Sequence, residues 1–165
     1  MEPQKAEAFI STALANISYN TDLAASVAQT DLAIEAVVEN MALKQKLFAE
    51  MENHSPTGAL LATNTSSLPI SEIAVNLKKP EFFGGLHFFN PVPMMRLLEV
   101  IKAEQTSQET FETMVGWGAQ MKKTTVRCID TPGFIVNRLL IPYMLEAVRL
   151  YERGHGSKED IGESF

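Results

Sequence analysis

Between Leu32 and Ile129, short apolar runs of strand length alternate with polar loops and segments of helical periodicity, and this alternation constrains the fold more than any other feature. The first run, Leu32–Val38, is almost continuously apolar between Asp31 and Glu39-Asn40. Such a run predicts a strand buried on both faces, as in parallel sheets covered by helices on either side. Met41 to Met51 predicts a helix with Leu43, Leu47 and Phe48 along one stripe and Lys44 and Lys46 outside it. Ala59–Thr63, Phe82–Phe88, Leu97–Lys102 and Thr124–Ile129 predict further strands, and Ile70–Asn76 a short helix. Thr106 or Ser107 is placed to cap another helix that ends near Met121. Strand and helix units repeated in this way specify an α/β layered fold on a mainly parallel sheet.

Both flanks read differently. Ala6, Phe9, Ile10, Ala13 and Leu14 recur at helical spacing, predicting an amphipathic helix over Glu2–Asn16. Ile17–Tyr19 is β-prone, and Asp22 is an N-cap for a helical turn through Val27. Beyond Asp130, Pro132-Gly133 opens a helix predicted over Phe134–Glu152, apolar almost all round and stopped by Gly154 and Gly156. Pro142 predicts a kink, or a break at Ile141. Ser157 with Asp160 begins a further capped helix.

The net charge of −6, with no cluster of Lys and Arg, gives no footprint for nucleic acid. No apolar run has the length of a bilayer span, so neither nucleic acid nor membrane is an expected partner. The single cysteine, Cys128, excludes an internal disulfide and suits a reducing compartment as a buried, inert thiol. No His, Cys and carboxylate grouping has metal-ligand spacing, and residues 1–9 carry no visible targeting signal.

The chemistry concentrates between Gly84 and Ile101. His87 ends one apolar run, an Asn90-Pro91-Val92-Pro93 turn follows, and Glu99 returns twelve residues later inside a second run. Delivered by neighbouring strands, a buried His and Glu are the parts of a proton-transfer pair, in which the carboxylate fixes the tautomer of the imidazole. Spacing alone leaves a second arrangement open: a satisfied strand-end histidine, with Glu99 paired to Arg96.

HFFNPVP and LLEVI, preceded by ATNTSSLPI and followed by DTPGFIVNRLL at Asp130 to Leu140, resemble the NAD-dependent L-3-hydroxyacyl-CoA dehydrogenases of fatty-acid β-oxidation. The resemblance runs from about Phe9 to Ile161 and covers only the middle of the family's protein. It implies an incomplete Rossmann-type NAD-binding domain over residues 1–129, followed over residues 130–165 by the beginning of an all-helical substrate and dimerisation domain. The glycine-rich phosphate turn, G-x-G-x-x-G, occurs nowhere in the sequence. The resemblance therefore implies a chain that starts after the family's first two strands. Ile17–Tyr19 would be the third, and Leu32–Val38, the fourth, would have a bare edge. Either the segment before Asp31 is then poorly anchored or another chain covers that edge.

The same resemblance assigns residues. His87 would be the general base for the 3-hydroxyl proton, oriented by Glu99. Ser66 would contact the substrate oxygen and the nicotinamide region, and Asn137 the substrate beside His87. Glu39 and Lys44 would lie near the cofactor ribose and nicotinamide, and Asn90 would hydrogen-bond in the cofactor or active site. Simpler roles stand beside these: a loop hydroxyl for Ser66, a helix start for Glu39, turn chemistry for Asn90 and an interdomain amide for Asn137. The implied cofactor is NAD, the substrate an acyl-CoA, the assembly a homodimer, and the location the mitochondrial matrix in a eukaryote or the cytosol in a bacterium. Two functional readings follow: an oxidoreductase, or a truncated non-catalytic member acting in binding or subunit association.

Overall fold

The computed structural model describes residues 3–164. In chain order the elements are α1 (Pro3–Ala15), α2 (Leu23–Val27), β1 (Leu32–Glu35), α3 (Met41–His54), β2 (Leu60–Thr63), α4 (Ile70–Ile73), β3 (Phe83–Phe88), β4 (Leu97–Lys102), α5 (Gln108–Gln120), β5 (Thr124–Ile129), α6 (Val136–Glu152) and α7 (Lys158–Glu163). The five strands form one sheet in sequential order. Every pairing is parallel except β3 with β4, which is antiparallel and pairs His87 directly with Glu99. The α/β class with a mainly parallel sheet, followed by the start of a helical region, is as the sequence implies.

Strand alternation divides the core. Leu61, Phe83 and Ile101 point to one face and pack with Phe48 and Met51 of α3 and with Ile70 and Ile73 of α4. Leu60, Leu86, Leu98 and Val100 point to the other and pack with Phe111 and Met114 of α5. Phe48 meets Phe83 edge to face at 4.7 Å, a favourable aromatic geometry. A Cβ at Gly118 would run into the side chains of Thr125 and Leu98, so α5 can approach the sheet closely only with glycine there. Several helices start where a side chain can take an orphan amide: Asp22 accepts from Ala25, Asn40 from Leu43, Ser107 from Thr110 and Ser157 from Asp160.

Several expectations require correction. Ile17–Tyr19 forms no strand; it is a link without regular structure, with Ile17 52% and Tyr19 90% exposed, because no strand lies beside it to accept its hydrogen bonds. The Leu32–Val38 run is a strand only to Glu35 and is half-buried rather than buried on both faces, while its place at the sheet edge is as the bare edge implied. Ala36 to Val38 leave the sheet and are exposed. On α3 the stripe is rotated: Leu43 is exposed while Lys44 is buried, since a buried carboxylate on β1 offers its ammonium a partner. α6 begins at Val136 rather than Phe134, whose backbone φ of 50° lies outside the helical region, and it continues unbroken through Pro142. Among the described residues no helix is long and apolar enough to cross a membrane, and no cluster of His, Cys, Asp and Glu could hold a metal ion.

α1 packs little. Phe9, Ile10 and Leu14 on its apolar stripe are all exposed, whereas Val27 of α2, also before Asp31, is buried in the core.

Candidate active site

β3 and β4 create the site by register. Their antiparallel pairing sets the side chains of His87 and Glu99 opposite each other on one face, and Nδ1 of His87 lies 2.7 Å from Oε2 of Glu99. Glu99 is fully buried and His87 nearly so. The carboxylate can only accept, so Nδ1 donates to it and carries the proton of the neutral ring. Nε2 then keeps its lone pair. The ring is held between Phe89, at 4.5 Å between centroids, and Phe134, at 5.6 Å.

The other oxygen of Glu99 accepts from the backbone N–H groups of Ile135, at 3.0 Å, and Val136, at 2.9 Å. Glu99 thus ties the histidine to the first residues of α6, where orphan amides and the helix dipole favour a carboxylate. Gly133, with φ of 76°, makes the turn that brings those amides round, and a Cβ on it would approach the backbone nitrogen of Arg138 to 3.0 Å. The alternative of a Glu99–Arg96 pair is not realised.

His87 opens onto a cavity of about 440 Å³ at the C-terminal ends of β1, β2 and β3, also lined by Val37, Glu39, Asn64, Ser66, Phe88, Asn90 and Asn137. The C-terminal ends of parallel strands are where open α/β sheets bind ligands. Asn137, one residue into α6, donates through Nδ2 to the Ser66 carbonyl at 3.1 Å. Ser66 donates through its backbone N–H to Glu39 at 2.8 Å and through its hydroxyl at 3.2 Å. Ser66 does not cap α4: the amides of Ile70 and Ser71 are taken by Asp130, at 3.1 and 2.7 Å. Glu39 is not the cap of α3 either, since Asn40 fills that position. Burial raises the Glu39 pKa, but the donors from Ser66 and Thr65 and the charge of Lys44 outweigh it and hold the carboxyl below its ordinary value.

Five of the residues singled out in the sequence therefore line one cavity: Glu39, Ser66, His87, Asn90 and Asn137. Two do not. Glu99 lies behind His87, and Lys44 lies behind Glu39, 3.5 Å from it. Sequence reasoning missed four supporting groups. Glu35 binds Lys44 at 2.6 Å, Asn64 accepts from the amide of Phe88 at 2.8 Å, Thr65 donates to Glu39 at 2.8 Å, and Asp130 starts α4. The signal for Glu35 was a single charge inside an otherwise apolar run, which needs a buried partner. Asp130 and Asn64 sit directly after strands, where a side chain returning to the backbone is common. Cys128 on β5 is buried in the core with Phe134; burial, and then the charges of Glu99 and Asp130, push its thiol up to about 11.

A family model for the NAD binding domain of 3-hydroxyacyl-CoA dehydrogenase matches residues 2–131, and the model of that family's C-terminal domain matches residues 133–164. A probable 3-hydroxyacyl-CoA dehydrogenase of Caenorhabditis elegans is 56% identical over 154 residues, covering 93% of this chain and 50% of the relative. The mitochondrial hydroxyacyl-coenzyme A dehydrogenase of Homo sapiens is 52% identical over 153 residues, covering 93% of this chain and 49% of the relative. Among solved structures, (S)-3-hydroxybutyryl-CoA dehydrogenase from Ralstonia eutropha superposes with a TM-score of 0.89 at 37% identity, covering 93% of this chain and 54% of that one. The chain spans about half the length of the curated relatives it matches.

The family's cofactor is NAD. The cavity suits its nicotinamide end: carboxamides of Asn90 and Asn137 and the hydroxyl of Ser66 offer donors and acceptors for a carboxamide, and Val37 and Phe88 supply apolar wall for a flat ring. The glycine-rich turn that would hold the diphosphate does not occur in the sequence. Motif order, fold and domain matches agree, and the chain belongs to the 3-hydroxyacyl-CoA dehydrogenase family.

Proposed function

We propose that this chain carries the proton-transferring part of an NAD-dependent 3-hydroxyacyl-CoA dehydrogenase, acting at the C3 hydroxyl of an L-3-hydroxyacyl-CoA. The observation that carries this reading is the buried His87–Glu99 pair, with Nδ1 held at 2.7 Å and the ring facing a cavity. NAD, when bound, supplies the acceptor for the hydride that leaves C3. His87 takes the hydroxyl proton at Nε2, and the positive charge that develops on its ring is met by Glu99. Because Glu99 also holds two amides of α6, neither carboxylate nor ring has to reorganise as the proton moves. In the direction of reduction the same nitrogen returns the proton to the carbonyl oxygen.

Ser66 is assigned to the substrate oxygen and the nicotinamide region, Asn137 to the substrate beside His87, Asn90 and Glu39 to the cofactor, and Lys44 supports Glu39 from behind. Residues 1–129 are read as part of the NAD-binding domain and 130–165 as the beginning of the helical one. A homodimer is supported by α6, which has no buried residue and presents Leu139, Leu145 and Val148 to solvent. The names of the mammalian relatives support a mitochondrial location.

Oxidation of NADH by the purified chain with acetoacetyl-CoA, followed by absorbance, tests the reading. Turnover is expected, and His87→Ala is expected to lower it by about a hundredfold or more. A folded chain without turnover, or a variant as active as the parent, would contradict it.

A further inference from the structure

Behind the cavity lies a buried charge network for which the proton-transfer chemistry has no use. Glu35 ends β1 with its side chain wholly out of solvent, and its Oε1 accepts from Lys44 Nζ at 2.6 Å and from the amide of Val37 at 2.6 Å. Its Oε2 accepts from the hydroxyl of Thr63 at 2.7 Å. Lys44, equally buried, leans toward Glu35 and stands 3.5 Å from Glu39. Of the three, only Glu39 lines the cavity, and no lysine or arginine lines it.

Had Lys44 only Glu39 to pair with, the two would form a neutral couple at the cavity wall. Glu35 changes that count to two carboxylates and one ammonium. It also draws the ammonium to 2.6 Å, against 3.5 Å from Glu39, so the network keeps one negative charge in all and Glu39 is its member at the cavity wall. A buried ion pair is poor evidence for stability, since apolar residues of similar volume would serve as well. A fixed charge at a cavity wall, by contrast, discriminates between ligands that differ by one charge. The oxidised nicotinamide ring is cationic, and the reduced ring is neutral.

We propose that Glu35 is a positioning residue for cofactor redox state: by claiming Lys44, it leaves Glu39 as a net negative charge at the cavity wall and so favours the oxidised, cationic nicotinamide over the reduced ring. The inference rests on the NAD reading above.

Its test is a titration of NAD+ and of NADH, each alone, into the 15N-labelled 165-residue chain, with dissociation constants taken from the amide shifts of Ser66 and Asn90. The quantity of interest is the ratio of the NAD+ constant to the NADH constant. One unit charge acting across a site of this size is worth a factor on the order of ten. Glu35→Gln is expected to raise the ratio by about that factor. Glu39→Gln, which alters a partly exposed side chain and leaves the buried pair intact, is expected to raise it at least as much. The double substitution Glu35→Gln with Lys44→Met removes both buried charges and keeps that of Glu39, so its ratio should return to within about twofold of the parent. Should Glu35→Gln fail to fold, the other two variants decide. Equal loss of both cofactor forms, or a double variant that keeps the raised ratio of Glu39→Gln, would overturn the inference alone. A parent chain that binds neither form would instead remove the NAD reading, and the inference with it.

Discussion

The strand pair β3–β4 and the helix α6 meet at Glu99, yet they are built in opposite ways. In the strand pair nearly every apolar side chain is buried, Leu86, Leu98, Val100 and Ile101 completely, and the two polar residues at its heart satisfy each other. α6 is held at its first turn, by the amides given to Glu99 and by the Asn137 contact to Ser66, and beyond Leu139 its apolar residues face solvent. The sheet therefore positions the chemistry, and α6 receives its position from the sheet at one end. Most of the helix contributes no core of its own to this chain, which is why its 17 residues can read as apolar all round while burying none.

If the comparison is right, equal truncations should have very unequal costs. Phe83→Ala removes a fully buried ring packed on Phe48 and should cost about 3–5 kcal/mol in urea unfolding. Glu99→Ala leaves three donors without an acceptor, His87 Nδ1 and the amides of Ile135 and Val136; at roughly 1–3 kcal/mol for each unmet group the loss should be about 3 kcal/mol or more. Glu99→Gln, which keeps an acceptor oxygen, should lose less.

Cys128 probes the same buried region by pH. Its thiol is pushed up to about 11, so near pH 8 it should react with iodoacetamide on the order of a hundredfold more slowly than an ordinary cysteine. The folded state binds the thiol proton more tightly than the unfolded state does. The stability this contributes is present below the thiol's ordinary range and is lost as pH rises toward the folded value. Fast alkylation of the folded chain would show that the core around Cys128 is open to solvent.

Smaller effects sharpen the contrast. Ser107→Ala removes the N-cap of α5, a helix packed on the sheet, and should cost about 1 kcal/mol in thermal unfolding. Leu139→Ala on α6 should change the stability of the monomeric chain by no more than about 0.5 kcal/mol, since the side chain is 69% exposed. A loss in the monomer near that of Phe83→Ala would mean that Leu139 packs within this chain and that the comparison fails.

What the sequence disclosed follows the same division. The bounds of β4 and β5 are those expected from their apolar runs, and the His87–Glu99 pair is where strand spacing put it, because local pattern and register decide both. Asp22 and Ser157 cap as expected, and of the two candidates before α5 Ser107 caps while Thr106 bonds to Ala103 and Phe83, for capping is local chemistry. The misses were long-range. A lone charge in an apolar run marks Glu35 as needing a buried partner, but nothing near Lys44, nine residues later, marks the lysine as that partner. Ile17–Tyr19 has strand propensity, but a strand exists only beside another strand. Phe134 continues an apolar pattern into α6, yet the turn at Gly133 and Phe134, which delivers two amides to Glu99, sets the start of the helix two residues later.

The claim on which the rest depends is that Glu99 holds the proton of neutral His87 on Nδ1 and leaves Nε2 bare toward the cavity. It is tested most directly by 15N-histidine NMR of the chain at alkaline pH, in the parent and in Glu99→Gln, with exposed His54 and His155 as internal references. The account predicts that His87 alone is locked in the Nδ1–H form in the parent and loses that preference in the variant. A parent His87 protonated at Nε2, or present as a mixture of tautomers, would contradict it.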